Sequence, residues 1–280
     1  RDVHAEPDHQ YSFDDSLSSM INITQAQLMG WLTEWFWPFV RIGACLMVAP
    51  LFGARFVPAR IRIALAAAIG FLVAPLLPSP PAVSLFSGEG IVILLQQILI
   101  GVAVGFVLQV VFDAIGLAGQ LLANSMGLSF AFNIDPLRGT STVAVGQFYL
   151  ILMTLTFITL DGHLAIIELI VQGFQTLPVG AVGLGADGLW RVASSGAVLF
   201  SGALQVALPG ITALMVANIA FGLISRAAPT LNIFSVGFAL SIVFGLIVLQ
   251  VGLPGIQQGF IELTRSAFDD VAELQQPSAR

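Results

Sequence analysis

Long apolar runs separated by short polar breaks dominate the chain and predict an all-α, multi-span helical membrane protein. A helix that crosses the hydrocarbon core of a bilayer needs about 20 apolar residues. Six runs approach or exceed that length, and they cover residues 28–51, 63–77, 91–112, 143–160, 192–224 and 231–253.

The last two runs carry additional information. The fifth run is longer than one straight span needs and contains Pro209. Because proline removes a helix hydrogen bond and clashes with the preceding turn, an interruption is predicted there. After the sixth run, apolar residues spaced three and four apart predict an amphipathic helix within residues 255–274. Its face lacks the basic residues that anionic lipids favour, so packing on partner helices is preferred to the membrane surface.

Composition and charge narrow the possible functions. Of the 280 residues, 57% are hydrophobic and 9% are charged, whereas a soluble domain carries about 25% charged residues. All ten basic residues are arginines, and they are not clustered. A nucleic-acid partner is therefore excluded, because phosphate binding needs a concentrated basic surface. The single cysteine excludes an internal disulfide framework and a thiolate zinc cluster.

Residues 1–19 differ from the rest of the chain. They contain five acidic residues, one arginine and few aliphatic side chains, so they cannot build a core. We interpret them as a disordered or artificially appended extension. The alternative is a short regulatory or partner-binding arm.

The arginines predict an orientation for the spans. The loop between the first two runs contains Arg55, Arg60 and Arg62, and the loop between the last two contains Arg226. Because arginine is enriched in short cytoplasmic loops, both loops are predicted to face the cytoplasm and both chain ends the periplasm.

Arg41 is a charged residue within the first apolar run. A lone charge there costs about 2.5–3.5 kcal/mol on insertion scales, so it faces protein or water. Two interpretations stay open: an ion pair with an acid on another helix, such as Asp113, or a position at a subunit interface or channel lining. Gly101 and Gly105, at helical spacing, predict close helix packing within the chain or with partners.

Residues 114–142 form the most unusual segment, because polar side chains are mixed there with Met, Phe and a Gly/Thr/Ser-rich stretch. Such a mixture fits non-helical backbone that is buried in protein or lines an aqueous cavity. We predict a constriction or plug over residues 126–142, the alternative being a loop on the membrane surface. The plug and pore candidates are Met126, Gly127, Phe130, Phe132, Asp135 and Pro136.

Catalytic, metal and cofactor chemistry find no support in the sequence. His163 is the only histidine after residue 19, which leaves no two-histidine metal site. Without lysine there is no Walker-type phosphate contact. We therefore expect a protein that is not an enzyme and has no catalytic, cofactor-binding or metal site.

Short segments, in their order along the chain, resemble the FliR family of flagellar biosynthetic proteins, whose relatives serve in virulence-type type III secretion. The resemblance runs from residue 20 to the end of the sixth run. Its segments are 37–41, 49–50, 57–62, 96–101, 126–131, 135–136, 162–164, 176–180, 226–229 and 233–234.

The resemblance implies a non-enzymatic subunit of the flagellar export gate, in the inner membrane at the basal body. It implies a FliP-like helical part over residues 20–190, a FliQ-like hairpin over 191–254, and an amphipathic helix and tail over 255–280. With FliP and FliQ such a subunit forms the conduit for unfolded export substrates, and FlhB and FlhA are further partners. In the family complex, helices that look membrane-spanning pack largely on other subunits.

The resemblance also assigns the family's plug-like loop to residues 126–142. Arg226 and Pro229 join Arg41, Gly101 and Gly105 as candidate assembly and packing residues. The alternatives are the equivalent subunit of a virulence system and a small-solute transporter, which would need a midplane binding site between two related halves.

Overall fold

The computed structural model describes residues 25–54, 57–81, 83–128, 144–180, 183–227 and 233–276. Within these ranges the regular elements are helical, which confirms the all-α class. They are α1 (Gln25–Val48), α2 (Ala59–Val73), α3 (Gly88–Ser125), α4 (Ala144–Thr159), α5 (Gly162–Thr176), α6 (Ala186–Ala227) and α7 (Ile233–Leu274), with a short 3-10 turn at Ala74–Leu76. The predicted extension, residues 1–19, lies outside the described residues.

Four described segments are long and apolar enough to cross a membrane, in agreement with a multi-span protein. They are Ala59–Leu76, Gly88–Ser125, Ala186–Ile224 and Ala239–Leu274. Helices α4 and α5 add a fifth if they are taken together, although they are bent by 64° at their junction. Helix α1, the first of the six predicted spans, is not among them. Glu34 and Arg41 within it lower its mean hydropathy.

Helix α3 is the centre of the fold. Helices α1, α4, α6 and α7 all pack on it, and 50% of its most apolar window is buried within the chain, against 17% for each of the other three candidate spans. Ser87 caps its start, because the Ser87 side chain accepts a hydrogen bond of 3.0 Å from the Gly90 main-chain nitrogen. The remaining helices are therefore positioned by where they meet α3.

Close contacts fix the direction of the N-terminal pair of helices. A β-carbon added to Gly101 would meet Ala44 and Cys45, and one added to Gly105 would meet Cys45 and Ala49. Helix α1 consequently runs parallel to α3 and ends beside its middle. Helix α2 returns antiparallel along α1.

The C-terminal pair lies farther along α3. Gly210 of α6 meets Leu122, and Gly245 of the returning helix α7 meets Met126, just past the end of α3. Gly202 of α6 also meets Ala114, earlier on α3, so α6 is parallel to α3. Phe260 of α7 meets Phe112, so α7 is antiparallel.

The stagger separates the end of α1 from the end of α6. Gly105, beside the end of α1, and Met126, beside the C-terminal pair, are 21 residues apart, which is about 32 Å along a helix. Arg226 lies farther still in the same direction. This separation is close to the thickness of a hydrocarbon core. The orientation predicted from the arginines stays a prediction, because parts of both loops lie outside the described residues.

Both internal prolines of the C-terminal pair lie in continuous helices. Helix α6 continues through Pro209 and α7 through Pro254, so the predicted interruption at Pro209 is wrong. Packing against α3 and against each other supports both helices where one hydrogen bond is lost. The amphipathic segment predicted after residue 254 belongs to α7. Of its predicted apolar positions, Leu263 is partly buried, and the others are buried: Ile256, Phe260, Ala267, Val271 and Leu274.

Candidate functional site

Arg41 lies where α1, α3 and the end of α5 meet, with only 1% of the residue exposed. Its Nε donates to Gln97 Oε1 at 2.7 Å. Its two terminal nitrogens donate to the main-chain oxygens of Gly173, at 3.2 Å, and Leu177, at 2.9 Å. The guanidinium carbon is 3.9 Å from the centre of the Phe174 ring. We call these five residues the Arg41 cluster.

The Arg41 cluster caps the C-terminus of α5 from a distant part of the chain. The last carbonyls of a helix lack helical donors and carry partial negative charge. A planar guanidinium with five N–H donors can satisfy two such carbonyls and a third acceptor together. The charge is therefore stabilised by neutral oxygens and an aromatic face.

The predicted ion pair between Arg41 and Asp113 is wrong. Asp113 Oδ1 instead accepts from Gln109 Nε2, one turn earlier on α3, at 2.9 Å. Within the described ranges, the partners recorded for Arg41 include no carboxylate. The sequence reasoning missed Gln97 and the end of α5. The pair Gln96-Gln97 inside an apolar run was a usable signal for the former, since a buried amide needs a partner.

Gly101 and Gly105 lie one and two turns beyond Gln97 and hold α1 directly on α3. A β-carbon on Gly101 would overlap the Arg41 main-chain oxygen and lie 2.8 Å from the Ala44 β-carbon. One on Gly105 would lie 2.8 Å from the Cys45 oxygen. The close packing at these two positions is between helices of this chain, and it places Arg41 within reach of Gln97.

The plug candidates fall into two groups. Phe130, Phe132, Asp135 and Pro136 lie outside the described residues, while Met126 and Gly127 lie within them. Of the two remaining assembly candidates, Pro229 lies outside the described residues, and Arg226 lies within them, exposed at the end of α6.

Met126 and Gly127 end α3 against the C-terminal pair. Met126 is 1% exposed, and a β-carbon added to Gly245 of α7 would lie 2.6 Å from its Cγ. Gly127 has a φ of 79°, a left-handed conformation that favours glycine at a helix end. The residues that precede segment 129–143 are therefore anchored in the core.

Two polar contacts, which the sequence did not predict, strengthen this anchor. Asn218 Nδ2 of α6 donates to the Ser125 main-chain oxygen at 3.2 Å. Ser241 Oγ of α7 donates to Asn218 Oδ1 at 3.0 Å. Both helices of the C-terminal pair thus contribute to holding the end of α3, just before segment 129–143.

In the part of the chain that the structure describes, no group of three or more His, Cys, Asp or Glu side chains is placed to hold a metal ion. The contacts at the Arg41 cluster and at the end of α3 are helix caps, close helix packing and amide hydrogen bonds. Such contacts fix the positions of helices relative to one another.

Comparison with known proteins gives consistent matches over most of the chain. Residues 32–267 match the model of a family described as bacterial export proteins, family 1. Flagellar biosynthetic protein FliR of Pectobacterium carotovorum subsp. carotovorum is 39% identical over 255 residues, which are 91% of this chain and 97% of that protein. Flagellar biosynthetic protein FliR of Escherichia coli K12 is 37% identical over 259 residues, with coverages of 91% and 99%.

A more distant relative shows the same pattern. Flagellar biosynthetic protein FliR of Bacillus subtilis 168 is 29% identical over 216 residues, which are 76% of this chain and 83% of that protein. The range that matches the family model contains the Arg41 cluster, Met126, all of α6, and α7 up to residue 267.

Proposed function

Because the chain belongs to the FliR family of bacterial export proteins, we propose that it builds, with FliP and FliQ, the conduit for unfolded flagellar proteins across the inner membrane. Its place as a subunit of the flagellar export gate follows from the family. FlhB and FlhA are the further partners in this proposal. The chain itself performs no catalytic step and takes no cofactor, so the energy for transport is supplied by other components of the apparatus.

Exposed apolar surface on the C-terminal pair carries this proposal. Helices α6 and α7 each contain 42 residues, which is about 63 Å of helix. Only 17% of the most apolar window of each is buried within the chain. Large side chains with more than half of their area exposed on α6 include Phe200, Met215, Val216, Ile219, Leu223 and Ile224.

This surface is too long for lipid alone to cover. A hydrocarbon core covers about 30 Å of helix, about half of the length of α6 or α7. On α6 the exposed apolar side chains extend beyond that length, from Leu189 and Trp190 to Ile224. Apolar surface left in water favours association with other proteins. Neighbouring subunits provide that cover in the proposed assembly.

The plug role of segment 126–142 belongs to this proposal and gives its test. In the test variant, a short Gly-Ser linker replaces residues 129–142. Met126 and Gly127 are kept, because they anchor the end of α3. We expect such a variant to assemble normally and to raise passive ion leak through the inner membrane, measured as loss of membrane potential.

The control is the unchanged chain produced at the same level. Leak equal to that of the control, together with normal secretion of flagellar proteins, would show that this segment does not close the conduit. Assembly of the variant is measured separately, as the amount of partner subunits that copurify with it. Ion leak is compared only between preparations in which the partner subunits are recovered.

A further inference from the structure

Helix α6 exposes two sides of different chemical character. Four exposed polar residues lie seven, four and seven residues apart: Ser194, Ser201, Gln205 and Thr212. Two turns of an α-helix contain about seven residues, so these four share one side of α6 over about 27 Å. On an adjoining side, the exposed residues Phe200, Leu204 and Met215 are apolar.

The polar side continues onto α7. Gln205 and Pro209 of α6 line a cavity of ≈340 Å³ together with Gln258 and Glu262 of α7. Both of these α7 residues are exposed, and Gln258 Nε2 donates to Glu262 Oε1 at 3.1 Å. We define the polar face as the six residues Ser194, Ser201, Gln205, Thr212, Gln258 and Glu262.

Lipid is a poor cover for the polar face. Large parts of α6 and α7 are candidate membrane spans, and polar groups at membrane depth face protein or water because hydrocarbon offers them no hydrogen bond. The main-chain oxygen of Gln205 adds to this need, since Pro209, four residues later, has no N–H to donate to it. The polar face therefore borders either another protein or water.

The chemistry of the polar face favours water. Its three hydroxyl groups already donate to main-chain oxygens of α6: Ser194 to Arg191 at 2.9 Å, Ser201 to Ala197 at 3.1 Å and Thr212 to Leu208 at 2.8 Å. They therefore keep no donor for a specific partner. The face contains one charged residue, Glu262, and no aromatic residue, whereas the core of a protein interface is enriched in aromatic residues.

We propose that the polar face lines the water-filled part of the export conduit and contacts the unfolded polypeptide in transit, while the adjoining apolar side of α6 is covered by neighbouring subunits. A transported chain needs contacts that are weak enough to release it, as a conducted ion does. Hydroxyl groups bonded within their own helix, and amides that water solvates, provide such contacts. The inference rests on the proposed function, because it needs a conduit.

Site-specific photo-crosslinking in cells tests this assignment. Export is blocked with a flagellar export substrate fused to a tightly folded domain, and benzoyl-phenylalanine replaces Ser201, Gln205, Phe200 or Leu204 of the full chain, one at a time. We expect adducts with the stalled substrate from positions 201 and 205, and adducts with partner subunits from positions 200 and 204. Substrate adducts from all four positions alike, or from neither position of the polar face, would overturn the inference.

Two neighbouring substitutions give an independent measurement. Leu204→Arg places a charge on the apolar side and is expected to lower the recovery of partner subunits about tenfold, as loss of an interface anchor does. Gln205→Arg is the matched variant, because its charge stays in water, and we expect unchanged recovery. Equal recovery with the two variants, whether reduced or not, would overturn the inference. If no partner copurifies even with the unchanged chain, the proposed function fails instead, so the two failures are distinct.

Discussion

Replacing Arg41 with alanine is expected to abolish motility and to deplete the assembled export gate. The change leaves the Leu177 carbonyl and the amide oxygen of Gln97 without this donor, while the Gly173 oxygen keeps only its hydrogen bonds from the Leu177 N–H and the Thr176 hydroxyl. Leaving one buried acceptor unsatisfied costs about 1–3 kcal/mol, and two of them together are a large part of the stability of a typical protein. The end of α5 then loses its attachment to α1 and α3.

The measurement compares three substitutions by swimming on soft agar and by the amount of chain in purified membranes. Arg41→Lys keeps the charge but lacks the planar fork that reaches three acceptors, so an intermediate defect is expected. Arg265→Ala, at an exposed arginine of α7 with no assigned role, is the control for loss of a positive charge in the folded chain. If Arg41→Ala left motility and complex formation unaffected, the assigned role of the Arg41 cluster would be wrong.

Gly101→Val is expected to have an effect of similar size for a steric reason. Its β-carbon would overlap the Arg41 main-chain oxygen and press on Ala44 and Cys45. Because the obstructing atoms are mostly backbone, no rotamer change relieves the contact, and α1 must move away from α3. Overpacking costs about 1–3 kcal/mol and sometimes more, and here it would also withdraw Arg41 from Gln97.

Protease resistance of the chain in membranes measures this change, with Gly196→Val as the control at an open position of α6. Ala44→Gly is expected to restore Gly101→Val only in part, since it removes the 2.8 Å contact but not the overlap with the main chain. Resistance equal to that of the control would show that α1 and α3 are not held together at Gly101.

The sequence predicted those features that depend on the spacing of apolar residues within a single helix. The apolar runs predicted all-α structure, and the spacing after residue 254 predicted the buried face of α7. The interruption predicted at Pro209 is wrong. Proline disrupts an isolated helix, but α6 packs on α3 and α7, and these neighbouring helices stabilise it where one hydrogen bond is lost. Helix α1 misled the prediction as well, since an apolar run with Glu34 and Arg41 suits burial in protein more than in lipid.

The site depends on contacts that spacing cannot reveal. Arg41 was recognised as anomalous from its surroundings, yet its partners Gly173 and Leu177 are 132 and 136 residues away and act through main-chain oxygens. Every residue type has a main-chain oxygen, so the pattern of side chains cannot predict which main-chain oxygens accept from Arg41. The hydrogen bond between Asn218 and Ser125 is hidden in the same way. The stagger of the helices appears only when contacts give their register.

Whether the chain is part of an export gate can be measured by affinity purification of the full chain from membranes in mild detergent. We expect FliP and FliQ subunits to copurify with the chain in a fixed ratio, and we expect Gly101→Val to remove both. Recovery of the chain alone, folded and protease-resistant but without either subunit, would contradict this expectation.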